Sequence, residues 1–126
     1  MTLTPVRMKK RKMFLHVAEH GVKVVAGGMV VQGCSNELEL LRIGFTVTKK
    51  IGCAVVRNRT RRRLRELVRT CPIIAEMAGF DLVFIGRLST KDRPYQKLQA
   101  DLTYALHEIK RVILGKEGSC DTSPEA

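Results

Sequence analysis

At 126 residues the chain has the size of one domain, ~100–200 residues, and leaves no room for a catalytic module beside a binding one. Its 23 Lys and Arg against 12 Asp and Glu give a formal charge of +11, and a pI near 10.0 lies above the ~9 that marks nucleic-acid-binding domains, so the natural partner is a polyanion. The 44% of hydrophobic residues excludes a disordered chain, while 5% aromatics and no Trp call for a mostly aliphatic core.

Residues 1–12 are polar and basic, with Arg7, Lys9, Lys10, Arg11 and Lys12 clustered before a short helical pattern that puts Met13, Phe14, Val17 and Ala18 on one face. Gly21 ends that helix. Gly27-Gly28 then divides an apolar, β-branched run into predicted strands Lys23–Ala26 and Met29–Cys34, and Ser35-Asn36-Glu37 reads as a turn. From Leu41 to Thr48 the pattern alternates, with Ile43, Phe45 and Val47 on one side and Arg42, Gly44, Thr46 and Thr48 on the other, as in a half-buried strand.

Residues 53–70 read as a helix in which Leu64, Leu67, Val68 and Cys71 recur at helical spacing before Pro72 stops it. The short apolar run Phe80–Gly86 fits a buried strand. Pro94 opens a last helix with a core stripe of Leu98, Leu102, Ala105, Leu106, Ile109, Val112 and Ile113. Beyond Gly115, Lys116–Ala126 is predicted to be a disordered tail. The reading is a single α+β domain over residues 1–114, residues 1–6 flexible, in which strand 41–48 pairs in parallel with strand 80–86. Helices then pack against one face of a small sheet and leave the other partly open.

Cys34, Cys53, Cys71 and Cys120 stand far apart without a Cys-x-x-Cys pair, so the sequence predicts reduced thiols in a cytoplasmic protein rather than a zinc site or a disulfide scaffold. The N-terminus lacks the apolar stretch of a signal peptide, and no run approaches the ~20 apolar residues of a membrane span. A membrane-surface role is also disfavoured, because the arginine-bearing helix has no Trp/Phe/Leu insertion face.

That helix carries Arg57, Arg59, Arg61, Arg62, Arg63, Arg65 and Arg69 against the single acid Glu66. Arg57, Arg61, Arg65 and Arg69 recur every four residues, which is expected to form a stripe. Three like-charged pairs at this spacing cost the free helix on the order of 1 kcal/mol, an expense that an anionic ligand offsets. Arginine suits RNA, since its planar fork grips phosphate oxygens and its face stacks on bases.

Residues Thr48-Lys49-Lys50-Ile51-Gly52-Cys53-Ala54-Val55-Val56-Arg57-Asn58-Arg59-Thr60-Arg61-Arg62-Arg63-Leu64-Arg65-Glu66 closely resemble the signature segment of the bacterial ribonuclease P protein family. The resemblance extends upstream through Arg7-Met8-Lys9-Lys10, Phe14, Val17 and Gly21, and downstream through Asp81, Arg87 and the last helix. It implies an α-β-β-β-α-β-α fold with an unusual left-handed β-α-β crossover, against the usual right-handed rule. It also implies a subunit that binds a catalytic RNA and the 5′ leader of precursor tRNA, one protein per RNA, and so promotes endonucleolytic removal of the leader. Catalysis would reside in the RNA, with Mg2+ bound mainly by that RNA and no catalytic residue in this chain.

Position by position, the resemblance assigns Lys49, Lys50, Arg57, Asn58, Arg59, Arg61, Arg62 and Arg65 to the RNA subunit. It assigns Phe14, with Arg7, Lys9 and Lys10, to a leader cleft between the first helix and the open sheet face, where an aromatic ring can stack on an unpaired base. Ala18 and Gln32 depart from the family, some members of which carry aromatics there. The alternative is a non-catalytic ribosomal or structural RNA-binding protein, from which the Lys49–Glu66 segment separates this chain.

Other chemistry finds little support. His16-Val17-Ala18-Glu19-His20 has the H-x-x-E-H spacing of inverted zinc peptidases, but it sits in a short helix beside a basic arm and has no obvious third ligand. No Ser-His-Asp or Cys-His arrangement is convincing, His107 stands alone on the last helix, and Gly115-Lys116 lacks the glycine spacing of a phosphate loop.

Overall fold

The computed structural model describes residues 6–8, 10–36 and 40–118, with side chains up to Leu114. Lys9, part of the predicted Ser35–Glu37 turn and residues 119–126 of the predicted tail lie outside the described residues. In chain order the elements are β1 (Val6–Arg7), α1 (Arg11–His20), β2 (Val22–Ala26), β3 (Met29–Ser35), β4 (Arg42–Thr46), α2 (Ala54–Thr70), β5 (Phe80–Gly86) and α3 (Tyr95–Gly118). Short 3-10 turns occur at Lys49–Ile51 and Pro72–Glu76.

One mixed sheet has the order β1-β4-β5-β3-β2. The expected parallel pair is present, with Ile43 opposite Leu82 and Phe45 opposite Phe84, and α2 makes the crossover between the two strands. β5 lies at the centre, which is why its sequence is apolar at nearly every position: both of its faces are covered.

Leu82 and Phe84 of β5 join Met29, Val31 and Ile43 in the main core, under Leu64, Leu67 and Val68 of α2 and Leu98, Leu102, Leu106 and Ile109 of α3. Each fully buried aliphatic side chain of α3 contributes about 1.5–3 kcal/mol relative to exposure. The intervening residue Val83 points the other way, into a smaller cluster with Met8, Val17 and Cys34 that Met13, Phe14 and Ile85 flank.

Three expectations change. Helices pack on both sheet faces rather than one, because alternate positions of β3 and β5 are apolar on the second face too and give α1 a seat on which Val17 is fully buried, while the rest of that face stays partly open as expected. Residues 6–7, read from sequence only as part of a basic arm, add a parallel edge strand to β4; two residues are too few to show a period, and the open edge of β4 supplies the pairing. Finally, α3 runs through Gly115 to Gly118, since one glycine costs a helix about 1 kcal/mol and does not by itself stop it.

Candidate nucleic-acid interface

The segment leading into α2 is built to turn sharply. Ile51 is buried and anchors the 3-10 turn, leaving Lys49 and Lys50 exposed, and Gly52 adopts φ 148°, a conformation that L side chains rarely take. Cys53 occupies the N-cap of α2, where the backbone N–H groups of Val56 and then Val55 draw its exposed thiol below the ordinary thiol range.

The inner face of α2 is Thr60, Leu64, Leu67 and Val68. Thr60 is fully buried yet satisfied, its Oγ1 donating to the Val56 carbonyl at 3.0 Å, and its methyl group lies against Gly86, where a Cβ would come within 2.8 Å. A larger residue at either position would lift the helix off the sheet.

The arginines fall into distinct groups. Arg57 donates from Nε to the Gly52 carbonyl at 3.3 Å, and Arg61 reaches Asn58 Oδ1 at 3.0 Å. Arg69 pairs with Glu66 on the surface, and Arg63 is bound to two backbone carbonyls on another segment. Arg59, Arg62 and Arg65 are exposed and have no hydrogen-bond or ion-pair partner among the described residues, as do Lys49 and Lys50.

The expected four-residue stripe is therefore not one line of equal charges. At 3.6 residues per turn, three steps of four drift about 120° around a helix. Arg57 and Arg61 accordingly start half-buried, while Arg65 and Arg69 end in solvent. The outermost line instead runs through Val55, Arg59, Arg62, Glu66 and Arg69, in alternating steps of four and three.

Across the sheet, Phe14 is half-buried on α1 and sits over Gly44 of β4, where an added Cβ would lie 2.4 Å from Phe14 Cε1. Gln32 is opposite Val83 in the β3–β5 pair and so shares the face on which α1 lies; it is half-buried, and Ala18 is exposed. Val30 and Ile85 are half-buried and Val25 is exposed, so the sheet beyond α1 is an apolar floor only partly covered.

Lys10 is exposed at the N-cap of α1. Arg7 is not brought to Phe14. It is in register with Ile43, and its guanidinium lies 5.7 Å from the ring centre of Phe45, on the face of the sheet that carries the main core.

Two sets of contacts were not legible in the sequence. Asp81, almost fully buried, accepts from Arg42 Nε at 2.7 Å, Arg42 Nη2 at 2.8 Å and Asn36 Nδ2 at 2.9 Å. The second is the set of contacts around Arg63, for which an arginine inside an arginine run offers no distinguishing signal.

The His16 and His20 rings lie 4.7 Å apart on the exposed side of α1, with Glu19 3.6 Å from His20 Nε2. Among the described residues no group of three or more His, Cys, Asp or Glu could hold a metal ion, so the peptidase-like spacing finds no third ligand. No helix among them is long and apolar enough to cross a membrane.

Comparison with known proteins identifies the family. The family model described as Ribonuclease P matches residues 4–110. The ribonuclease P protein component of Gluconacetobacter diazotrophicus is 50% identical over 103 residues, spanning 81% of this chain and 89% of that one. That of Paramagnetospirillum magneticum is 45% identical over 108 residues, 82% of this chain and 81% of the other. Among solved structures, the Staphylococcus aureus RNase P protein superposes with a TM-score of 0.70 at 31% identity, covering 85% of this chain and 96% of that one. The Thermotoga maritima protein gives 0.71 at 27%, covering 82% and 96%. With a family model spanning most of its length and relatives this similar, the chain belongs to the ribonuclease P protein family.

Proposed function

We propose that this chain is the protein subunit of a ribonuclease P holoenzyme. Through α2 and the Lys49–Ile51 turn it binds the catalytic RNA, and through the cleft between α1 and the sheet it holds the 5′ leader of precursor tRNA. The observation that carries this reading is the exposed set Arg59, Arg62 and Arg65, with Lys49 and Lys50, none hydrogen-bonded or ion-paired through its side chain among the described residues, on a helix whose opposite face packs on the core. Such a surface neutralises closely spaced phosphates, and affinity then depends on released counterions. On the other side, Phe14 offers one aromatic face to an unpaired base, and Gln32 offers an amide where an aromatic would add a second stacking platform.

In this reading the protein's own groups supply no hydrolytic site. The buried carboxylate Asp81 is engaged by Arg42 and Asn36, and among the described residues no three or more His, Cys, Asp or Glu gather in one place. In this reading Mg2+ and the activation of water belong to the RNA, one protein serves each RNA, and the protein contributes substrate affinity and charge screening. The compartment in this reading is the cytoplasm, where thiols such as Cys34, Cys53 and Cys71, free among the described residues, stay reduced.

The test is multiple-turnover cleavage of a leader-bearing precursor tRNA by a bacterial ribonuclease P RNA at low magnesium, with and without the protein. Strong stimulation at the mature 5′ end is expected. Tight RNA binding without stimulation would instead favour a structural RNA-binding protein.

A further inference from the structure

The charge pattern of α2 treats its arginines as equivalent ligands for RNA, yet one of them faces inward. Arg63 is half-buried; its Nη1 donates to the Lys91 carbonyl at 2.6 Å and its Nη2 to the Arg93 carbonyl at 2.7 Å. The loop that supplies these carbonyls, residues 87–93, is itself held from several sides. Thr90, fully buried, donates to the Gly28 carbonyl at 2.5 Å and accepts the Arg87 N–H at 2.8 Å. Arg93 pairs with Asp101 of α3 at 2.6 Å, and Asp101 also accepts the Gly28 N–H at 2.9 Å. A continuous set of polar contacts therefore joins α2, the loop after β5, the β2–β3 turn and α3.

The rest of α2's inner face packs through Thr60, Leu64, Leu67 and Val68. Apolar packing is non-directional and permits a helix to roll. Two hydrogen bonds from one planar fork to two carbonyls do not, and a lysine, a single point of charge on a flexible stem, cannot span both acceptors in that geometry.

We propose that Arg63 is a positioning residue: it sets the rotation of α2 on the sheet so that Arg59, Arg62 and Arg65 meet the RNA subunit, without itself touching a phosphate. This rests on the reading of α2 as the RNA-subunit surface.

The experiment is the affinity of the full-length protein for a ribonuclease P RNA over a salt series, for wild type, Arg62→Ala, Arg63→Ala and Arg63→Lys. Loss of one phosphate contact in Arg62→Ala is expected to make the slope of log K against log salt shallower by about 0.7–0.9. Both Arg63 variants are expected to bind about tenfold more weakly at every salt concentration with the wild-type slope, because preorganisation is lost and no phosphate contact is. The charge-conserving lysine should fare no better than alanine. Amide resonances of residues 87–93 should shift in Arg63→Lys and stay in place in Arg62→Ala.

Should Arg63→Ala fail to fold, the lysine variant still decides the question. A shallower slope for Arg62→Ala together with near wild-type binding by Arg63→Lys would overturn the positioning role alone. Wild-type binding and slope for Arg62→Ala would overturn the reading of α2, and this inference with it.

Discussion

The guanidinium of Arg42 grips the carboxylate of Asp81 with two N–H groups, at 2.7 and 2.8 Å, across the parallel pair β4 and β5, and the two partners differ sharply in exposure: 28% for Arg42 against 3% for Asp81. That asymmetry sets the outcome of mutating either one. Arg42→Ala leaves a buried carboxylate with Asn36 as its remaining side-chain donor among the described residues and is expected to cost about 3 kcal/mol. Asp81→Asn lets Arg42 turn to water and should cost less, about 1–2 kcal/mol. Urea denaturation of both variants checks the order; an equal or reversed loss would mean that burial of Asp81 is not the controlling factor.

Replacing Arg59, Arg62 and Arg65 together by Ala should separate stability from function. These side chains have no hydrogen-bond or ion-pair partner among the described residues, and Arg59–Arg62 and Arg62–Arg65 are like-charged neighbours three residues apart. Their removal should leave the thermal midpoint unchanged or raise the stability by up to about 1 kcal/mol. Affinity for the RNA subunit should fall steeply, with a salt slope shallower by about 2.1–2.7 for three phosphate contacts. Calorimetry and filter binding on the same preparations measure the two effects.

Phe14 both packs and, in the proposed cleft, stacks. Phe14→Leu retains an apolar side chain over Gly44 but removes the aromatic face, so affinity for precursor tRNA should drop by about 1–3 kcal/mol while that for mature tRNA stays put. Gly44→Ala attacks the same seat from beneath, since the new methyl group would meet the ring at 2.4 Å and displace it. It should lower affinity for precursor tRNA and also destabilise the fold by about 1–3 kcal/mol. Equal losses for precursor and mature tRNA in Phe14→Leu would remove Phe14 from the leader site.

The cysteines should report on the N-terminus of α2. Backbone N–H groups of Val56 and Val55 lower the pKa of Cys53, whereas burial first, and then Asp81, raises that of Cys34. Iodoacetamide should therefore modify Cys53 at pH values where Cys34 stays intact, as read by peptide mass spectrometry across a pH series. For stability the sign follows from a depressed folded-state pKa. Thiolate formation favours the native state, so the contribution of Cys53 grows as pH climbs through its lowered pKa toward the unfolded value of about 8.5, and it is absent below. Cys53→Ser should flatten that rise.

What the sequence determined by itself was whatever depends on local period and residue chemistry. The alternation from Leu41 to Thr48 marked β4, the helical recurrence of Leu64, Leu67 and Val68 marked the buried side of α2, and the compact apolar run Phe80–Gly86 marked a strand covered on both faces. The arginine run announced a polyanionic partner for the same reason: charge density is a property of composition, and it needs no fold to be read.

Only the tertiary structure decided how those arginines divide and where the N-terminal arm goes. Arg63 differs from Arg62 by about 100° of helix rotation, which puts one against the carbonyls of Lys91 and Arg93 and the other in solvent. Arg7 passes to the main-core face of the sheet because β1 pairs with β4 in a register that strand pairing imposes. The contacts of Asp81 with Arg42 and Asn36, like those of Asp101 with Gly28, join residues distant in sequence. Such partners are chosen by the approach of one element to another, and no local pattern encodes them.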